Sequence, residues 1–155
     1  IPEQAKRLPI GKSRIIEDGG TLAILSIGTM LENCREVVRL LAKKKGINVT
    51  LVDARFAKPI DTIMLDKLCN THSALLIVEE GAPGGFAAQV MQYIVNSGHL
   101  DSLFKVRAVT LPDRVIDHAD RDIQLQIAGL DVVSLFEKSE NLISNHINMG
   151  KIAQT

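Results

Sequence analysis

Short apolar runs alternate along this chain with longer stretches in which apolar residues recur every three or four positions. Runs of strand length cover Arg14–Glu17, Leu22–Ile27, residues 48–53, residues 74–78 and Lys105–Val109, and the turn-forming Asp18-Gly19-Gly20 separates the first two. After Gly28, helical spacing places Met30, Cys34, Val37, Val38 and Leu41 on one face. Thr29 and Glu32 stand at capping-box spacing ahead of that helix. Lys43-Lys44-Lys45 suits its negative end, and Gly46 terminates it. Asp61 predicts the N-cap of a second helix with Met64, Leu65 and Leu68 facing inward. Phe86, Val90 and Ile94 mark a third over residues 85–96. The last stretch predicts a helix near 122–128 and a longer one from Asp131, with Val132, Leu135, Phe136, Leu142 and Ile143 on one side.

Strands alternating with helices predict an α/β domain, a largely parallel sheet between two helical layers. The run at 74–78 is nearly all apolar, as expected of a strand covered on both faces. Residues 1–12 hold two prolines and scattered charge without period, and read as an extended lead-in; residues 13–145 form the domain, and 146–155 a C-terminal tail without convincing pattern. The start at Ile1 fits a fragment or a processed product. With 155 residues, 46% of them apolar, one ordinary core is expected.

Eighteen basic residues balance eighteen acidic ones, so no net field would gather nucleic acid or an anionic membrane. No apolar run approaches the roughly 18–20 residues of a membrane span, and no signal peptide is evident. Cys34 and Cys69 both fall among the apolar residues of predicted helices, which reads as buried, reduced thiols.

Candidate chemistry lies in loops just after strands. Glu79 and Glu80 are adjacent, so an extended chain points them to opposite faces, the wrong arrangement for a cooperating acid–base pair. One of them is expected to fix the loop by accepting hydrogen bonds from the amides of Gly84 and Gly85, or else to meet a partner. Gly81 to Gly85 is only a loose match to a dinucleotide loop, since it lacks the third glycine at the right distance and no acidic residue closes the next strand. Arg55 and Lys58 flank Phe56 in a loop restricted by Pro59, a composition suited to an interface; alternatively Arg55 pairs with Asp53 or Asp61. Arg114, Asp117 and His118 place a cation, a carboxylate and an imidazole within five residues, a spacing that permits an Asp-oriented histidine but supplies no nucleophile. Phosphate-loop, serine-elbow and paired-histidine metal motifs are absent from the sequence.

Three stretches together resemble the last domain of the 1-deoxy-D-xylulose-5-phosphate synthases, in the transketolase family. They are Asp53-Ala54-Arg55-Phe56-Ala57-Lys58-Pro59-Ile60-Asp61, Glu79-Glu80-Gly81 with Gly84-Gly85-Phe86, and Leu111-Pro112-Asp113-Arg114 with His118. Ile60, Ala87, Val115 and Ala119 depart from that family's pattern, and Leu8-Pro9-Ile10-Gly11-Lys12 is similar to its approach to this domain. The beta subunits of 2-oxoacid dehydrogenases share the Lys-Pro-Leu-Asp and Glu-Glu-Gly elements but not the other pairing, and remain the alternative, as docking modules. The resemblance implies a three-layer α/β/α sandwich with a five-stranded mixed sheet in the order 1-3-2-4-5, strand 1 antiparallel. In that order Gly28, Thr29, Glu80 and Gly81 would line a crevice where the strand order reverses. It also implies a thiamine-diphosphate- and magnesium-dependent transferase that joins pyruvate and glyceraldehyde 3-phosphate with loss of carbon dioxide, in the cytoplasm of a bacterium or in a plastid-type organelle. The family's cofactor motifs lie in its first two domains, so neither a cofactor nor a catalytic residue is expected in this chain. Its expected partners are the enzyme's own N-terminal and middle domains and a second copy in a homodimer.

Overall fold

The computed structural model describes residues 7–152, with side chains through 144. Five strands, β1 (Arg14–Glu17), β2 (Leu22–Ile27), β3 (Thr50–Asp53), β4 (Ala74–Glu79) and β5 (Lys105–Val109), form one sheet in the order β1-β3-β2-β4-β5. β1 pairs antiparallel with β3, and the β2–β3, β2–β4 and β4–β5 pairs are parallel. The expected mixed sheet is therefore the observed one.

The period-2 alternation of the strands divides the core between the two faces. Leu22, Ile24, Leu76 and Val78 pack beneath α1 (Met30–Lys45), α4 (Arg121–Ala128) and α5 (Val132–Ile152). Ala23, Leu25, Leu75 and Ile77 pack beneath α2 (Thr62–Thr71) and α3 (Phe86–Asn96). Burial on both sides explains why β2 is apolar but for the buried Ser26 and β4 is apolar up to its final residue, Glu79.

The α1 face is the predicted one, with Met30, Cys34, Val37, Val38 and Leu41 buried. Gly46 ends the helix at φ 67°, a left-handed turn that glycine adopts without Cβ strain, and its N–H donates to the Ala42 carbonyl at 3.0 Å. Asp61 caps α2 by accepting from the Met64 N–H at 3.3 Å. α5 carries helical backbone to Ile152, through much of the stretch in which the sequence shows no period, while residues 1–6 of the lead-in and 153–155 of the tail lie outside the described residues. Burial pushes the Cys34 thiol up to about 12 and the half-buried Cys69 thiol up to about 11, so both stay protonated and un-nucleophilic near neutral pH. Among the described residues no helix is long and apolar enough to cross a membrane.

The capping box predicted at Thr29 does not form. Thr29 itself has helical backbone angles (φ −64°, ψ −19°), which take its hydroxyl away from the first-turn amides. Glu32 instead pairs with Arg35 one turn on, at 3.4 Å. The freed hydroxyl has another use.

Candidate functional site

β2 and β4 are neighbours although β3 lies between them in the chain, so the connections leave their carboxyl ends in opposite directions. Glu79 and Glu80 sit at that point and point apart, as strand geometry requires. Glu79 turns toward α3, where its two carboxylate oxygens accept from the Phe86 N–H at 2.9 Å and the Ala87 N–H at 2.8 Å. These are amides that a helix start leaves without an internal partner, and the positive end of the helix favours the carboxylate. The expected donors, Gly84 and Gly85, are two residues too early, and the Gly85 N–H closes the turn on the Ala82 carbonyl at 3.3 Å instead. The glycines make room: a Cβ at Gly85 would stand 2.4 Å from Glu79 Oε1, and one at Gly81 would stand 2.7 Å from it. Gly84 occupies the same turn at φ 96°. The Gly-Gly-Phe stretch is thus a seat for a structural carboxylate.

Glu80 faces the other way, into the crevice. It accepts from the Thr29 hydroxyl and from the Arg121 guanidinium, each at 2.5 Å. Burial pushes its carboxyl up, but the hydrogen bonds from Thr29 and Arg121 and the Arg121 charge outweigh this and hold it below its ordinary value. This pair of contacts ties together the turn after β2, the end of β4 and the start of α4. Gly28 supports the arrangement as a turn at φ 66°, and the Gly81 carbonyl accepts from the Leu111 N–H at 3.0 Å.

The cavity above Glu80 measures about 540 Å³ and extends from the end of β4 over the loop that follows β5. Leu111, Pro112 and Leu125 give it an apolar floor, and Arg114, Arg121 and Glu80 ring it with charge. Val115 stands at its rim 92% exposed. His118 is exposed and outside this lining, and among the described residues it has no hydrogen bond to Asp117, whose carbonyl instead accepts from the Gln124 side chain at 3.2 Å. The Asp-oriented histidine that the spacing permits is therefore not assembled.

The Asp53–Asp61 loop lies at the end of β3 and performs a different task. Asp53 is buried, binds Arg14 Nε and Nη2 at 3.0 Å each, and accepts from the Arg55 N–H at 3.1 Å. Arg55 takes φ 59°, an uncommon conformation for a residue with a Cβ, as the Phe56 N–H closes back on the Ala54 carbonyl at 2.7 Å. The Arg55 guanidinium donates to the Ser13 carbonyl at 3.0 Å; among the described residues it pairs with neither Asp53 nor Asp61. Both carboxylates are already committed: Asp61 accepts from the Ser13 N–H at 2.8 Å and from Lys12 Nζ at 3.5 Å. The side chains of Asp53, Arg55 and Asp61 thus each engage residues 12–14. Phe56 is half-buried against the ends of α2 and α3, while Lys58 is exposed.

The structure brings Thr29, Glu80, Gly81 and Arg114 around one crevice, sets Arg55 on the Ser13 carbonyl with Phe56 half-buried beside it, and leaves Lys58 and His118 in solvent. Arg121, Ser13 and Arg14 complete these sites, and sequence reasoning missed them because their partners lie 41, 42 and 39 residues away. The crevice does not fit a magnesium–diphosphate cradle. Of its two lining carboxylates, Glu80 and Asp113, the first is already engaged, and among the described residues no three metal-ligating side chains converge.

Residues 11–135 match the family described as "Transketolase, C-terminal domain". The chain belongs to this family. A solved structure described as "Split gene transketolase, inactive beta4 tetramer" shares the fold with a TM-score of 0.78 at 22% identity, over 93% of this chain. The chain spans 47% of the length of that relative's chain. In this transketolase C-terminal fold, the Glu80 crevice is the surface that the reversal of strand order creates.

Proposed function

We propose that this chain is the C-terminal domain of a 1-deoxy-D-xylulose-5-phosphate synthase, which packs on the enzyme's N-terminal and middle domains and supports a homodimer. The observation that carries this reading is the clamp on residues 12–14. The Asp-Ala-Arg-Phe stretch that separates the synthases from the dehydrogenase beta subunits holds Ser13 and Arg14, the residues at which the chain enters the domain. The second synthase-like stretch, Leu111 to Arg114, lines the crevice and ends beside the exposed Val115. An arginine beside an apolar side chain on a loop suits a contact with another domain.

In this reading pyruvate, glyceraldehyde 3-phosphate, thiamine diphosphate and magnesium bind the upstream domains. This domain's own groups perform orientation. Glu79 fixes the α3 turn, Glu80 with Thr29 and Arg121 fixes the crevice wall, and Asp53, Arg55 and Asp61 set the angle of the lead-in. The compartment expected of such an enzyme is the bacterial cytoplasm or a plastid-type organelle. A dehydrogenase beta subunit is the second reading, favoured by the coverage of 47% in the split-gene relative, where a comparable domain sits in a chain about twice this length.

The test is to purify the native polypeptide carrying these residues and supply pyruvate, thiamine diphosphate and magnesium with or without glyceraldehyde 3-phosphate. A synthase consumes pyruvate and the aldehyde together, releasing carbon dioxide and forming a phosphorylated sugar. Release that instead depends on added transacylase and is indifferent to the aldehyde would establish the beta-subunit reading.

A further inference from the structure

A second cavity, of about 320 Å³, lies between the edge strand β5 and helix α5 and shares no lining residue with the Glu80 crevice. Lys105 and Arg107 stand two residues apart on β5, so their side chains leave the same face of the sheet. Their partners on β4 are Ala74 and Leu76, which belong to the core beneath α1 and α5. Lys138 faces them from α5, and Asn141 follows one turn later on the same side. Leu76, Val109 and Leu142 supply an apolar floor.

Three cations therefore line one small cleft, and among the described residues none of them forms an ion pair. Glu140, the nearest acidic neighbour of Asn141 along α5, is bound to Lys45 at 2.6 Å. Lys138 gives one donor to the Gly129 carbonyl at 3.2 Å, and Arg107 gives Nη1 to the Val106 carbonyl at 2.8 Å. Their other donors remain. Lys105 Nζ is shut away from solvent, and among the described residues no acceptor lies within hydrogen-bonding distance of it. An ammonium group removed from water without an acceptor is costly, and rotation of the flexible lysine stem toward an anion in the cleft removes that cost.

We propose that this cleft binds a small phosphorylated organic molecule, its phosphate held by Lys105, Arg107 and Lys138 and its apolar part resting on Leu76, Val109 and Leu142. The planar guanidinium of Arg107 matches two phosphate oxygens at once, and the Asn141 amide adds a neutral donor. The volume is at the small end of the roughly 300–1,000 Å³ of small-molecule sites. A nucleic acid or membrane surface is the poorer fit, because the cations converge in a concavity and the chain carries no net charge.

The experiment is a titration of the isotope-labelled chain with inorganic phosphate and with phenyl phosphate at constant ionic strength, read by backbone amide shifts. The expected result is saturable change confined to residues 105–109 and 138–142, with phenyl phosphate bound at least tenfold more tightly than inorganic phosphate. Lys105→Met, which keeps the apolar stem, and Arg107→Gln, at an exposed position, each weaken phenyl phosphate at least tenfold. If Lys105→Met fails to fold, Arg107→Gln decides alone. Shifts scattered over Lys43, Lys44 and Lys45, shifts centred on Arg114 and Arg121, no saturable shift, or unchanged affinity in Arg107→Gln would each overturn the proposal.

Discussion

Two adjacent glutamates at the end of β4 take opposite tasks because a strand points neighbours apart. Glu79 works inward on the α3 amides, and the glycines around it exist to admit its carboxylate. Gly85→Ala is expected to destabilise the chain by about 1–3 kcal/mol, since the new Cβ collides with Glu79 Oε1 in a packed turn. Glu79→Gln is expected to cost about 1–3 kcal/mol by leaving one of the two amides without an acceptor. The double variant should cost less than the sum, because the collision and the lost hydrogen bonds involve the same oxygens; urea unfolding of the four proteins measures this coupling. Glu80 works outward and responds to pH. Its carboxyl is held below its ordinary value in the folded chain, so its contribution to stability is complete above that value and is lost as pH falls through the lowered one. Arg121→Gln should flatten this acid loss and cost only about 0–1 kcal/mol near neutrality, because both partners are partly exposed. Thermal unfolding of the two proteins across the acid range checks the sign.

At the scale of elements, Asp61 is the residue whose removal reaches furthest. It caps α2 and also receives the Ser13 N–H and Lys12, so Asp61→Ala is expected to cost more than the ~1 kcal/mol of an ordinary cap, about 2 kcal/mol in all. Amide exchange should accelerate at Met64 and Ser13 together; a change at Met64 alone would dissociate the cap from the clamp. The sequence reveals this cap because an Asp before an amphipathic run has a local meaning. It likewise reveals all five strands, the α1 face and the Gly46 stop, where periodicity and chain punctuation carry the information. It does not reveal the fate of Thr29, since a serine or threonine three residues before a glutamate looks the same whether its backbone is extended or already helical. Nor does it reveal that Arg55 would reach a backbone carbonyl, because that choice follows from Arg14 and Lys12 having already engaged the two carboxylates. The Glu80 crevice was half legible: the loops after β2 and β4 announce it, but Arg121 enters from 41 residues away with no local sign.

For the molecule as a whole, the sheet is covered on both faces, and polar detail concentrates where strands end. One cluster grips residues 12–14 and another shapes the crevice, and Val115 projects 92% exposed from the loop between β5 and α4. In the proposed reading, a domain whose polar contacts hold its own entry at residues 12–14, and whose crevice carboxylate serves as a strut, acts by position. The most direct test of that account is the mass of the native polypeptide that carries these residues, read from a source extract with an antibody raised against this domain. The account predicts a single chain on the order of 600 residues, enough for upstream cofactor-binding domains of ordinary size ahead of this one. A chain of roughly half that length would leave room for only one further domain and would contradict the single-chain synthase.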